Sequence, residues 1–190
     1  MKVTTGLYKG RVLKTVKDLS VRPATDRVKQ TIFNMVTHRM ELEGASVLDL
    51  FAGSGNLGIE ALSRGAGKVI FVENNADAVD YIEQNVRALR CEATTEILEA
   101  DAMHFIESSS DTFDIIFADP PYRFEETAAI PERVFRRGLL NPDGYLLIEH
   151  VPTMMFKSGP IYDAGPVKKF GRTIVTFFHH HTHVDSQEPA

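Results

Sequence analysis

SVLDLFAGSGNLGIEALSRGA, residues 46–66, joins three unlike pieces. SVLDLFA is a short continuous apolar run, GSGNLG is a glycine-rich turn, and IEALSRGA has helical spacing. Strand, glycine turn and helix in that order open a βαβ unit. The apolar run does not alternate with polar residues, which marks a strand covered on both faces, as in a parallel sheet.

The same grammar repeats downstream. KVIFVEN (68–74) is a second apolar run, followed by a helix predicted from about Ala76 to Leu89 with Val79, Ile82 and Val86 on one face. TTEILEAD is a third strand, with a short helix from about Ala102. FDIIFADPPY carries the fourth, and a helix is expected from about Glu125 to Arg137. Asn141-Pro142-Asp143-Gly144 turns into GYLLIEH, the fifth strand, and GPVKKFG and RTIVTFFHH form two more, antiparallel to each other. Upstream, TGLYKGRVLKTV (5–16) reads as short strands around a Lys-Gly turn. Pro23 holds Arg22 extended, Thr25 is the expected N-cap, and a helix with Val28, Ile32, Met35 and Val36 on one face runs to about Arg39. The expected fold is α/β: a doubly wound, Rossmann-like sheet of seven mostly parallel strands, with a short N-terminal β-hairpin and helix. Residues 1–40 form the expected extension, 41–180 the main domain and 181–190 a disordered tail.

Composition bounds the function. With 190 residues, 43% hydrophobic and 25% charged, the chain suits one soluble domain. It contains neither an apolar run of membrane-spanning length nor the apolar core of a secretory signal at its start, and Cys91 is its single cysteine, so a reducing cytoplasm is the expected setting. Net charge is −5, but residues 1–29 hold Lys2, Lys9, Arg11, Lys14, Lys17, Arg22, Arg27 and Lys29 against Asp18 and Asp26. That segment is +6 and the remainder −11. A basic arm on an acidic body suits a polyanion, with Lys9, Arg11, Lys14 and Arg22 as its expected cations, although a solvated basic hairpin carries the same charge; the family resemblance given below makes that polyanion RNA.

Ligands on such sheets sit outside the carboxyl ends of the strands. Gly53, Gly55 and Gly58 spell GxGxxG, which alone is a weak sign of a dinucleotide. Asp49, four residues before the first glycine, would repel a pyrophosphate and attract an ammonium. S-adenosylmethionine carries an α-amino group and a sulfonium and no phosphate, so it fits better. Glu73 at the end of the second strand suits a ribose diol, in NAD or S-adenosylmethionine alike. Asn74 beside it either packs near adenine or caps the next helix. Asp101-Ala102 suits an adenine edge, while Asp101 also suits an N-cap.

The fourth strand ends in Asp119-Pro120-Pro121-Tyr122. The prolines end sheet pairing and stiffen the loop. The Asp119 carboxylate and the Pro120 carbonyl then accept, and Tyr122 offers a flat face. Two acceptors beside a ring receive a planar group bearing an NH₂, such as a nucleobase amine. Accepting its hydrogens aims the nitrogen lone pair at a methyl group, so the protein mainly positions the reactants.

These residues resemble the class I S-adenosylmethionine-dependent methyltransferases that carry the (Asp/Asn)-Pro-Pro-(Tyr/Phe) motif of amino-methylating enzymes. RPATDRVKQTIFN (22–34), VLDLFAGSGNLGIEALSRGA, FADPPY, IEH (148–150) and FGRT (170–173) together resemble the RsmD-like bacterial enzymes, which methylate the N2 amine of one guanine in small-subunit ribosomal RNA. The resemblance runs to about residue 178. It implies that Asp49, Phe51, Gly53 and Gly55 hold the methionine end of the cofactor, Glu73 and Asn74 its ribose side, and Asp101 with Ala102 its adenine. It implies Asp119, Pro120 and Tyr122 as the catalytic set around the guanine, with Arg22, Thr25 and Asn34 closing over it. It implies ribosomal RNA in an assembling small subunit as partner, a monomer, and no metal. Asn56 departs from an expected small apolar residue and Phe170 from an expected tyrosine. His179, His180, His181 and His183 read as a polar tail, and His104 and His150 as local packing or hydrogen-bonding residues. A DNA or other RNA amino-methyltransferase, an NAD-dependent oxidoreductase and a catalytically silent RNA-binding assembly protein are the competing readings. Cofactor preference and methyl transfer to RNA discriminate among them.

Overall fold

In a computed structural model, which describes residues 1–15, 26–171 and 173–181, the chain forms α1 (Asp26–Thr37), β1 (Ser46–Leu50), α2 (Asn56–Ser63), β2 (Lys68–Glu73) and α3 (Ala76–Leu89). Then follow β3 (Thr95–Glu99), α4 (Ala102–Ser108), β4 (Phe113–Ala118), α5 (Ile130–Arg137), β5 (Leu140–His150), β6 (Tyr162–Phe170) and β7 (Thr173–His180). The sheet order is β3-β2-β1-β4-β5-β7-β6. The first five strands in that order are parallel, and β7 pairs antiparallel with both β5 and β6. β1 sits between β2 and β4, with Val47, Leu48 and Leu50 buried, as its unbroken apolar run predicts. Phe33, Ile59, Phe71, Ile82 and Phe117 pack on one face of the sheet under α1, α2 and α3. Leu48, Val72, Ile106, Ile116 and Val134 pack on the other under α4 and α5.

Three boundaries differ from expectation. α2 starts at Asn56, three residues earlier than its apolar spacing indicates, because Gly55 turns the chain in the left-handed region (φ 80°). The single helix expected from Glu125 divides into a 3₁₀ turn (Glu125–Ala129) and α5, with Pro131 in the first turn of α5, where its missing N–H costs nothing. The N-terminal strands reduce to one antiparallel bridge, Lys2 with Val12, and the chain reverses through residues 4–9 instead of pivoting on Lys9-Gly10.

That N-terminal loop has little pairing of its own and is held from outside. Glu60, fully buried on α2, accepts from the Thr4 and Thr5 amides and the Thr4 hydroxyl. The ammonium of Lys29, also fully buried, lies 3.1 Å from Glu60 and donates to the Lys2 carbonyl and to Asn56 Oδ1. Asn56 is therefore an acceptor for a buried cation, which a small apolar residue there could not be. Burial pulls the Lys29 ammonium below its usual range, with Glu60 pushing back. Burial pushes the Glu60 carboxyl up, but the Thr4 donors, Lys29 and Arg64 outweigh it and hold the carboxyl below its usual range.

α2 packs hard on the sheet. A Cβ at Gly58 would lie 2.3 Å from the Phe71 ring and 2.8 Å from Val69. Gly58→Ala is expected to lower stability in urea unfolding by roughly 1–3 kcal/mol, the usual cost of overpacking. A change under about 0.5 kcal/mol, typical of an unconstrained surface site, would mean that α2 has room to move.

Candidate active site

The five parallel strands bring their carboxyl ends to one edge, and the residues just beyond them meet there. Asp49, next to last in β1, is 2% exposed, and its Oδ2 accepts from the Gly58 amide at 2.8 Å. Phe51 follows with φ 56°, a conformation costly for a bulky residue, and its ring meets Phe124 edge-on at 5.0 Å. Gly53 and Gly55 have φ 57° and 80°, so the loop turns where side chains are disfavoured. Glu73, at the end of β2, binds two loops at once: Oε2 accepts from the Gly53 amide at 2.7 Å and Oε1 from the Asn75 amide at 2.9 Å.

Asn74 is exposed beside Glu73 and caps nothing; Asn75 is the N-cap of α3, its side chain accepting from the Ala78 amide. Asp101 N-caps α4 through the His104 amide at 2.8 Å. Ala102 begins that helix and is buried.

β4 continues the edge. Leu50 and Ala118 are partners in the β1–β4 register, so Asp119 emerges beside the loop after β1. Burial raises the Asp119 carboxyl well above the usual carboxylate range, and the charges of Glu149 and Asp49 add to it. Pro120 is buried and Tyr122 is 53% exposed. The Tyr122 hydroxyl lies 3.3 Å from Thr173 Oγ1, which joins the β6–β7 turn to this loop. Asn34 lies on α1, hydrogen-bonded to Gln30. Arg22 and Thr25 fall outside the described residues, as does His183.

Glu149 enters the sequence reading only within IEH (148–150) and is given no role there, although it lies near the carboxyl end of a parallel strand as Asp49 and Glu73 do. It is 7% exposed, its Oε2 is buried without a hydrogen-bond partner among the described residues, and burial raises its carboxyl to about 7 against a restraining Thr173 hydroxyl. Its strand reads YLLIEH, and the position of the acid at the strand end was the available signal. The neighbouring His150 hydrogen-bonds to Thr176 and Val151, and burial lowers its pKa, so the ring stays neutral.

The expected RNA-binding cations lie elsewhere. Arg11 Nη2 donates to the Ala88 carbonyl and Lys14 Nζ to Gln84 Oε1. From Arg11 to Lys14 the chain runs back along α3 toward its N-terminus, hence toward the edge that carries the acids. Lys9 is exposed on the turn. His179 and His180 belong to β7 and His181 pairs with exposed Asp163, so the histidine run begins inside the sheet. No helix among the described residues is long and apolar enough to cross a membrane.

The family described as Conserved hypothetical protein 95 matches residues 1–179. YlbH of Bacillus subtilis (strain 168) is 39% identical over 153 residues, covering 79% of this chain and 82% of that protein. Ribosomal RNA small subunit methyltransferase D of Haemophilus influenzae is 32% identical over 152 residues, 78% of each. The solved structure of yhhF from Escherichia coli has a TM-score of 0.85 at 25% identity, covering 95% of this chain and 97% of that one.

Burial raises the Asp49 carboxyl to about 8, against a restraining bond from Gly58 and with Glu73 adding to the rise. The native state therefore holds a proton there that the unfolded chain, titrating near ~3.9, releases. Stability falls as pH rises between those two values. Asp49→Asn keeps an acceptor for Gly58 and removes the titration. Its stability relative to the wild type is expected to rise from pH 4 to pH 8 by on the order of a few kcal/mol, then level off. Urea unfolding at several pH values checks this, and a constant difference would place an ionised carboxylate at Asp49 throughout.

Proposed function

The chain belongs to the family described as Conserved hypothetical protein 95, and from that premise we propose that it is an S-adenosylmethionine-dependent ribosomal RNA methyltransferase acting on the exocyclic N2 amine of a guanine in the small subunit. The observation that carries this reading is the β1–β4 pairing, which sets Asp119-Pro120-Pro121-Tyr122 beside Asp49 and the glycine loop. We read residues 1–40 as an RNA-binding extension, 41–180 as the catalytic domain and 181–190 as a tail.

The donor set suits the cofactor. Asp49 and Glu73 face a loop whose own sequence, Phe51–Asn56, has no cation to hold a phosphate. A buried carboxyl held near pH 8 by desolvation ionises readily once an ammonium lies beside it. Phe51, Gly53 and Gly55 would border the methionine end. Glu73 would accept from ribose hydroxyls with the lone pairs left by Gly53 and Asn75, with Asn74 alongside. Asp101 and the Ala102 amide would meet adenine. When bound, S-adenosylmethionine supplies a methyl group on a positively charged sulfur.

Asp119 and the Pro120 carbonyl would accept the two hydrogens of the guanine amine and hold its lone pair out of the ring plane. Tyr122 would stack on the base, its hydroxyl held by Thr173. Held this way, the amine nitrogen would take up the methyl group as the sulfur keeps the electrons of the broken bond, and the methylated amine would then release a proton to water. A strong general base is unnecessary, which agrees with the neutral, hydrogen-bonded His150. Tritiated methyl transfer to small-subunit RNA or particles from cells lacking the activity, followed by nucleoside analysis, tests the reading. Label in N2-methylguanosine is the expected result; label in N6-methyladenosine or N4-methylcytidine overturns it.

Two expected outcomes follow from the roles of the residues. Asp119→Ala abolishes turnover with cofactor affinity largely intact. Tyr122→Ala loses stacking of roughly 1–3 kcal/mol, whereas Tyr122→Phe retains most activity. Steady-state kinetics with calorimetry checks both, and a phenylalanine variant as inactive as the alanine variant would give the hydroxyl a chemical role. In the basic segment, replacing Lys9, Arg11 and Lys14 with Ala weakens RNA binding and flattens the slope of log K against log salt by roughly 2, for three single-strand phosphate contacts. Titrations at several salt concentrations measure it, and parallel slopes would leave the segment as a solvated turn.

A further inference from the structure

We infer that Glu149 is a second hydrogen-bond acceptor for the target base, beside Asp119, and that the two carboxylates together select guanine by its Watson–Crick edge. The inference rests on the proposed guanine-N2 reading. Ala118 and Ile148 are partners in the β4–β5 register, so Asp119 and Glu149 are the next residues outward on neighbouring strands. Glu149 borders the same small cavity as Pro120, Pro121 and Tyr122. Its Oε2 is buried and accepts from nothing among the described residues. No lysine or arginine forms an ion pair with Glu149 among the described residues, and the His150 ring is engaged with Thr176 and Val151. A buried acceptor without a donor is costly and marks a group whose partner arrives from outside.

The chemistry of that partner follows from the spacing of acceptors. Guanine presents adjacent donors, N1–H and the N2 amine, along one edge. Adenine presents its N6 amine beside a bare N1, and cytosine its N4 amine beside a bare N3. One carboxylate on the amine does not distinguish these bases. A second acceptor next to it meets N1–H in guanine and a lone pair in the others, and two facing acceptors repel. A site built to bond a substrate N–H rejects analogues that lack it far more strongly than an apolar pocket rejects a change of shape. The cavity measures about 10 Å³, room for one water, so it has to widen for a base edge to meet Oε2.

The test uses RNA or reconstituted particles carrying, at the site mapped by methyl transfer, either guanine or 2-aminopurine. The latter keeps the amine, replaces N1–H with a bare nitrogen and also lacks O6, so the response of the Glu149 variant, and not the wild-type preference alone, reports the N1–H contact. Assays are run at several pH values up to 8.5, because burial raises both the Glu149 and the Asp119 carboxyls. The wild type is expected to prefer guanine in kcat/KM by roughly ten- to a hundredfold. Glu149→Gln, which offers an NH₂ as well as a carbonyl, is expected to bring the two substrates near parity with cofactor affinity unchanged. A wild type that methylates both equally overturns the inference, even if the variant fails to fold. So does a variant that slows both substrates in parallel, since a purely structural role would do that. Absence of any label on guanine N2 sinks the parent reading as well, whereas label without a change in preference sinks this inference alone.

Discussion

The closeness of α2 to the sheet governs the rest of the molecule. Gly58 lies against Phe71 with no space for a methyl group. That approach brings the first turn of α2 within hydrogen-bonding reach of Asp49 at the end of β1. The chain from Leu50 to Asn56 must then arch over the strand ends, and it does so through three residues at positive φ, Phe51, Gly53 and Gly55. Glu73 fastens this arch to the loop after β2.

The opposite side of α2 explains a second feature. All its residues are buried, because the N-terminal segment and α1 cover the face that a surface helix would give to water. Glu60 and Lys29 are therefore charged groups with no solvent, satisfied by each other and by Thr4, Thr5, Lys2, Asn56 and Arg64. A pair of this kind adds little net stability over an apolar pair of the same shape, yet losing one partner costs about 3–5 kcal/mol. Its contribution is positional. It fixes where residues 1–15 lie on α2 and α3, and so where the basic segment runs relative to the strand ends.

At those ends the sheet carries an electrostatic cost. Asp49, Asp119 and Glu149 lie near one another with few donors, and each carboxyl is raised by burial. Folding alone does not reward such a cluster. A ligand that brings an ammonium, a sulfonium or amine hydrogens does, because it supplies the missing partners in a place already emptied of water.

Much of this was legible in the sequence. Unbroken apolar runs between helical stretches dictated a parallel sheet, since strands covered on both faces cannot alternate. Glycines, prolines and terminal acids marked the strand ends, because those residue types report backbone constraints that are local. Asn75 in place of Asn74 as the helix cap was a one-residue matter of where the helix begins. Other features depended on residues far apart in the chain. Nothing near Asn56 announces that its partner is Lys29, nor that Glu60, the one charged residue of α2, is sealed beneath Thr4 and Thr5. Glu149 looked like any acid after a strand until β5 was set beside β4 and its second oxygen was found without a donor. Local sequence determines the backbone conformations open to each segment; burial and the pairing of charges are decided only when distant segments exclude water from one another.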